Sequence, residues 1–128
     1  MNRIAAILLL AGCATAPAAP SPVTGDWGGT HIGLNLGATG GTIEYDCASG
    51  TIGPVFPGSG GNFTAAGTHT PGHGGPVREG EVMPTYPATF SGRVSGDRMT
   101  LVGKIANGVE LGPFTLRRGA EAGIFRCL

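Results

Sequence analysis

A two-residue alternation of apolar and polar side chains, running between closely spaced glycines, is the feature that most constrains the fold. It is clear at Ile32, Leu34 and Leu36, and it recurs from Phe63 to His69. The chain contains 25 glycines and 10 prolines in 128 residues, and from residue 23 onward no long window keeps helical spacing without one of them. Because period-two alternation is typical of half-buried strands, the sequence predicts β structure almost throughout.

The strand pattern predicts an all-β domain over residues 23–128. Seven or eight short strands, each followed by a turn, indicate an antiparallel up-and-down meander. Such a meander closes into a β-barrel most readily, since closure removes the unpaired edges; a small open sandwich is the alternative. The first strand is expected to run from Gly25-Asp26-Trp27 through Leu36, with a bulge at Gly28-Gly29, and the last to lie near residues 122–128.

Asn107-Gly108 is the clearest turn signal. It predicts a hairpin of residues 98–106 and 109–117 joined by a type I′ turn. Pro113 lacks a backbone donor, so a bulge or an open edge is expected there.

The N-terminus has the pattern of an export signal. Arg3 precedes an apolar stretch from Ile4 to Leu10 that is too short to span a bilayer. Leu10-Ala11-Gly12-Cys13 resembles the lipobox of bacterial lipoproteins, which implies removal of residues 1–12 and attachment of lipid, including palmitate, to Cys13. An ordinary signal peptide with a chance cysteine is the alternative. Residues 13–22, rich in proline and alanine, are predicted to be a tether reaching roughly 28 Å.

The lipobox resemblance also implies a location. Ala14 is not the aspartate that favours inner-membrane retention in the enteric members of that family. The expectation is a lipid anchor in the outer membrane of a Gram-negative cell, with the membrane as a partner and the domain facing the periplasm.

Lipid on Cys13 leaves two cysteines, Cys47 and Cys127, in an oxidising compartment. Cys47 is in phase with Ile43 and Tyr45, which predicts an inward-facing sulfur. The sequence therefore predicts a Cys47–Cys127 disulfide; two reduced, buried thiols are the alternative.

Candidate chemistry is sparse. His69 and His73 flank a Pro-Gly turn and are the candidate metal ligands, although a solvated loop is favoured over a metal site. Glu44 and Asp46 share a polar strand face and are expected to pair with arginines of neighbouring strands rather than to catalyse. His31 is expected to be exposed and is therefore not a third metal ligand. No enzyme and no cofactor are predicted. The formal net charge of +0 without a basic cluster excludes nucleic acid as an expected partner.

Two families share local features with the domain. Gly25-Asp26-Trp27 resembles the opening of the lipocalins and related calycins, including the avidin-like barrels. That resemblance implies that Trp27 plugs one end of the barrel beneath a basic residue of the last strand, for which Arg126 is the candidate. Tyr45-Asp46-Cys47, Cys127 and Ser91-Gly92 resemble the membrane-bound C-type lysozyme inhibitors, in which a Ser-Gly loop enters the lysozyme active site.

The expected function is therefore non-enzymatic binding by a barrel held at the outer membrane. A small apolar ligand would enter the barrel if it is hollow, whereas a filled barrel would act through its loops. The alternatives are an inhibitor or interaction module for an envelope or lysozyme-like protein, and a passive structural lipoprotein.

Overall fold

Eight antiparallel strands form a closed barrel in the computed structural model, which describes residues 21–72, 76 and 79–127. The strands are β1 Gly25–Gly29, β2 Ile32–Gly37, β3 Gly40–Tyr45, β4 Ala48–Ile52, β5 Asn62–Pro71, β6 Tyr86–Ser95, β7 Arg98–Ile105 and β8 Glu110–Arg118, with a short 3-10 segment at Ser59–Gly61. Each strand pairs with its neighbours in sequence, and β1 pairs with β8 to close the barrel. The predicted all-β meander and its closure are confirmed. Within the described ranges, no helix is long and apolar enough to cross a bilayer.

The barrel begins differently from the prediction. Gly25–Gly29 is a strand of its own, and the chain reverses at Thr30 and His31 before β2. Trp27 pairs with Leu34 across this hairpin. The prediction of one strand with a bulge at Gly28-Gly29 is wrong, because a reversal rather than a bulge separates Trp27 from Ile32.

The centre of the barrel is filled. Phe90 on β6 is 1% exposed, and its ring lies beside Gly67 of β5 and Gly103 of β7. A Cβ atom at Gly67 would lie 2.8 Å from this ring, and one at Gly103 would lie 3.0 Å from it. The two glycines therefore make the space that one large side chain occupies. The sequence left open whether the barrel is hollow or filled. Around Phe90 it is filled.

The β7–β8 hairpin forms where Asn107-Gly108 predicts it, but with a different turn. Among the described residues, positive φ outside glycine occurs at His31 and Cys47 alone, so Asn107 does not adopt the type I′ conformation. Gly108 has φ +91°, and the Ile105 amide donates to the Val109 carbonyl oxygen at 2.8 Å. The loop is thus wider than the predicted two-residue turn. A register shift occurs opposite residues 111–114, so the bulge expected near Pro113 is confirmed.

Residues 119–127, which we call the strap, cross the outside of the barrel instead of forming the predicted strand. β1 and β8 already pair with each other, so no free edge remains for another strand. The strap passes over Gly28 and Gly33, and a Cβ atom at Gly33 would lie 2.6 Å from the Cβ of Ala122. The His31 amide donates to the Gly123 carbonyl oxygen at 2.8 Å, and the Gly123 amide donates to Gly29 at 3.0 Å. Glycines on the outer face therefore allow the strap to lie against the sheet.

One end of the barrel is closed by Trp27, which is 1% exposed. The guanidinium of Arg118, at the end of β8, lies 4.5 Å from the centroid of the Trp27 ring. Arg118 also donates hydrogen bonds to the Thr24 carbonyl oxygen and to Asp97. A basic residue over Trp27 is what the resemblance to calycins implies, but the prediction that it is Arg126 is wrong. Arg126 lies in the exposed strap, whereas Arg118 ends the strand that pairs with β1.

We expect Arg118→Ala to lower the free energy of unfolding by about 1–2 kcal/mol. The substitution removes the cation–π contact and leaves the Thr24 carbonyl oxygen without its donor. Urea denaturation followed by Trp27 fluorescence measures the effect. Arg126→Ala is the matched control, and an equal or larger loss from it would contradict the assignment.

Candidate functional site

The second end of the barrel is open and contains a pocket of about 290 Å³. It lies where the β1–β2 and β3–β4 turns approach the start of β8. We call it the open-end pocket. Its lining consists of His31, Tyr45, Asp46, Ala48, His69, Leu111 and Phe114.

Two polar side chains are buried in this lining. Tyr45, the last residue of β3, is 6% exposed, and His69 on β5 is 7% exposed. Their ring centroids lie 5.7 Å apart, yet neither Tyr45 Oη nor His69 Nδ1 has a hydrogen-bond partner among the described residues. An unsatisfied buried polar group costs about 1–3 kcal/mol, so such groups call for an explanation. Both residues belong to the wall of one pocket, so this pocket contains two side chains with unused hydrogen-bonding capacity.

Burial keeps both groups uncharged. Loss of hydration raises the pKa of the Tyr45 phenol and lowers the pKa of the His69 imidazole. At neutral pH, Tyr45 is therefore a hydroxyl that can donate and accept, and His69 is a neutral imidazole. The inner part of the pocket offers hydrogen bonds without a fixed charge.

Apolar groups from β8 and β4 complete the lining. Phe114, half-buried on β8, lies with its ring centroid 5.8 Å from that of Tyr45. Leu111, on the same strand, and Ala48, at the start of β4, are also half-buried. The pocket thus combines an apolar wall with two hydrogen-bonding atoms, as small-molecule sites commonly do.

The rim carries His31 and Asp46. His31 Nδ1 contacts Asp46 Oδ2, and Asp46 Oδ1 accepts a hydrogen bond of 2.6 Å from the Phe125 amide. The rings of His31 and Phe125 are 5.4 Å apart. The expected exposure of His31 is confirmed, but the expected arginine partner of Asp46 is wrong, because Asp46 lies in the β3–β4 turn beyond the strand face that Glu44 occupies.

Cys47 and Cys127 lie next to each other, with Cα atoms 5.0 Å apart, which is within the range for disulfides. Cys47 occupies the β3–β4 turn with φ 59° and is exposed, so the prediction of an inward-facing sulfur is wrong. The turn breaks the alternation that Ile43 and Tyr45 establish. The end of the strap therefore meets the turn that also bears Asp46.

The structure separates the other predicted site residues. His69 points into the barrel from β5 instead of lying in a solvated loop, and His73 lies outside the described residues. In the part of the chain that is described, no group of three or more His, Cys, Asp or Glu side chains could hold a metal ion. Cys13 also lies outside the described residues. Ser91 and Gly92 lie inside β6, paired with β5 and β7, so they do not form the protruding loop that the resemblance to lysozyme inhibitors implies.

We expect the barrel to lose stability as the pH falls below 6.5, the ordinary pKa of histidine. His69 has a lowered pKa in the folded state, so in acid the unfolded chain binds the proton more readily and unfolding is favoured. His69→Phe should remove this part of the pH dependence, whereas His31→Asn should retain it. Urea midpoints at pH 7.5 and 5.5 measure the difference; identical pH dependence in the parent and His69→Phe would contradict the burial of a neutral His69.

Sequence reasoning placed His69 on an inward face but missed Tyr45, Leu111 and Phe114 as parts of a site. A usable signal was present. Tyr45 and His69 are polar residues at inward positions of strands whose other inward residues are apolar or glycine. Their meeting depends on the barrel, since β3 and β5 are separated by β4.

Comparisons of the chain with family models, with curated proteins and with solved structures give no match. The fold and the site therefore define the class by themselves. It is a small, filled, eight-stranded meander barrel with a pocket at one end, an architecture compatible with that of the calycins.

Proposed function

We propose that this chain is an outer-membrane lipoprotein whose periplasmic barrel is a non-enzymatic binding module. In this proposal Cys13 carries the lipid, Cys47 and Cys127 form a disulfide, and a small molecule occupies the open-end pocket. The observation that carries the proposal is a pair of pocket-lining residues, Tyr45 and His69, whose buried Oη and Nδ1 atoms have no hydrogen-bond partner among the described residues. The filled centre supports a site at the end of the barrel instead of a deep internal one.

Binding can be tested by amide NMR spectroscopy of the full chain under non-reducing conditions, with a mixture of small monocyclic aromatic compounds. We expect chemical-shift changes to concentrate around residues 45–48, 69 and 111–114. Leu111→Trp fills the pocket and should abolish them, whereas Val109→Trp, at a residue that is 47% exposed, should not. Shift changes scattered over the barrel, or unchanged in Leu111→Trp, would count against the proposal.

The anchor is tested separately by cell fractionation. We expect the parent chain in the outer-membrane fraction and Cys13→Ser in a soluble or unprocessed form. A Cys13→Ser variant that is processed and retained like the parent would refute the lipid anchor without bearing on the pocket.

A further inference from the structure

We propose that the open-end pocket selects an uncharged amphiphile that carries one hydroxyl or carboxamide group on a single ring or a short hydrocarbon body. This inference rests on the proposed binding function and adds the class of ligand. It is drawn from the hydrogen-bonding capacity, the charge and the size of the pocket.

The hydrogen-bonding capacity comes from Tyr45 and His69. Tyr45 Oη can donate one hydrogen bond and accept another, while Nδ1 of a neutral imidazole either accepts or donates one. A hydroxyl can accept from Tyr45 and donate to His69, or accept from both. A carboxamide offers its carbonyl oxygen to one residue and its N–H to the other. A hydrocarbon would leave both buried atoms without partners.

The charges disfavour an ionised ligand. A carboxylate would have to give up its hydration beside the uncharged Tyr45 and His69 and close to the carboxylate of Asp46 at the rim. An ammonium group would likewise have to give up its hydration beside the uncharged Tyr45 and His69. No other ionisable side chain lies in the described lining of the pocket.

The size limits the body of the ligand. An apolar cavity of roughly 150 Å³ holds benzene, so the pocket of about 290 Å³ accommodates one ring with a short substituent. Phe114 and Leu111 supply the apolar contacts on the side of β8, opposite His69 on β5. The polar group is therefore directed towards Tyr45 and His69 when the body lies against β8.

A matched series of ligands tests this inference on the full chain under non-reducing conditions. Benzyl alcohol, benzamide, benzoate, benzylamine and toluene share a ring and differ in the polar group. Titrations followed by amide NMR give the five dissociation constants. We expect benzyl alcohol and benzamide to bind about tenfold more tightly than the other three.

Two variants locate the hydrogen bonds. Tyr45→Phe should weaken the binding of benzyl alcohol about 3- to 10-fold and leave toluene within twofold, because only the hydroxyl partner is removed. Tyr86→Phe is the matched control, since Tyr86 lies opposite His69 in the β5–β6 ladder and not in the pocket lining. It should leave both affinities unchanged.

Failure of this inference is distinguishable from failure of the proposed function. The ligand class is overturned if toluene or an ionised compound binds as tightly as benzyl alcohol. It is also overturned if Tyr45→Phe weakens the binding of all five compounds equally. In both cases the pocket remains a binding site. If none of the five compounds perturbs the pocket residues at its solubility limit, both the ligand class and the binding function are overturned.

Discussion

Replacing Cys127 with serine is expected to lower the free energy of unfolding by up to about 4.5 kcal/mol, the value that chain entropy gives for closing a loop across a sequence separation of 80. The effect is large compared with the stability of a small domain, which is usually about 5–15 kcal/mol. The strap would keep its hydrogen bonds at Gly123 and Phe125 but lose its covalent attachment to the β3–β4 turn. Urea denaturation of the parent and the variant without reductant measures the difference.

Reductant provides the control for this prediction. It should destabilise the parent to the level of Cys127→Ser and leave the variant unchanged. If the parent and Cys127→Ser unfold at the same urea concentration, or if Cys47 and Cys127 of the native protein are both alkylated without reductant, the disulfide is absent.

Replacing Phe90 with alanine is expected to cost about 3–5 kcal/mol. The ring is almost fully buried and fills the space between Gly67 and Gly103, where neither neighbour has a side chain that could move into the cavity. The centre of the barrel would therefore stay empty instead of collapsing. Urea denaturation followed by circular dichroism measures the loss.

Phe125→Ala is the matched control for this second prediction. Phe125 is 68% exposed, so its truncation should change stability by about 0.5 kcal/mol or less. Equal losses in the two variants, or a Phe90→Ala barrel as stable as the parent, would contradict a filled barrel.

Most of the sheet could be predicted from the sequence because inward and outward residues alternate. Ile32, Leu34 and Leu36 all lie inside β2, as their spacing indicates. β1 was harder to predict as a separate strand, since Trp27 is its single large apolar residue. The strand expected near residues 122–128 is the opposite error, because the barrel offers no free edge with which it could pair.

The site was less predictable, because it depends on how distant strands are aligned. Neither Tyr45 nor His69 signals a pocket alone, and Phe114 enters the lining after a register shift between β7 and β8. The same reason explains the choice of Arg126 over Arg118. Which arginine lies over Trp27 is decided by the β1–β8 pairing, which no local pattern in the sequence specifies.

A crystal structure of the oxidised full chain in complex with benzyl alcohol tests the central claim most directly. The account predicts a ring against Phe114 and Leu111, with the ligand hydroxyl about 2.7–3.0 Å from Tyr45 Oη or His69 Nδ1. Water molecules alone on these two atoms, with the compound bound elsewhere or not at all, would contradict it.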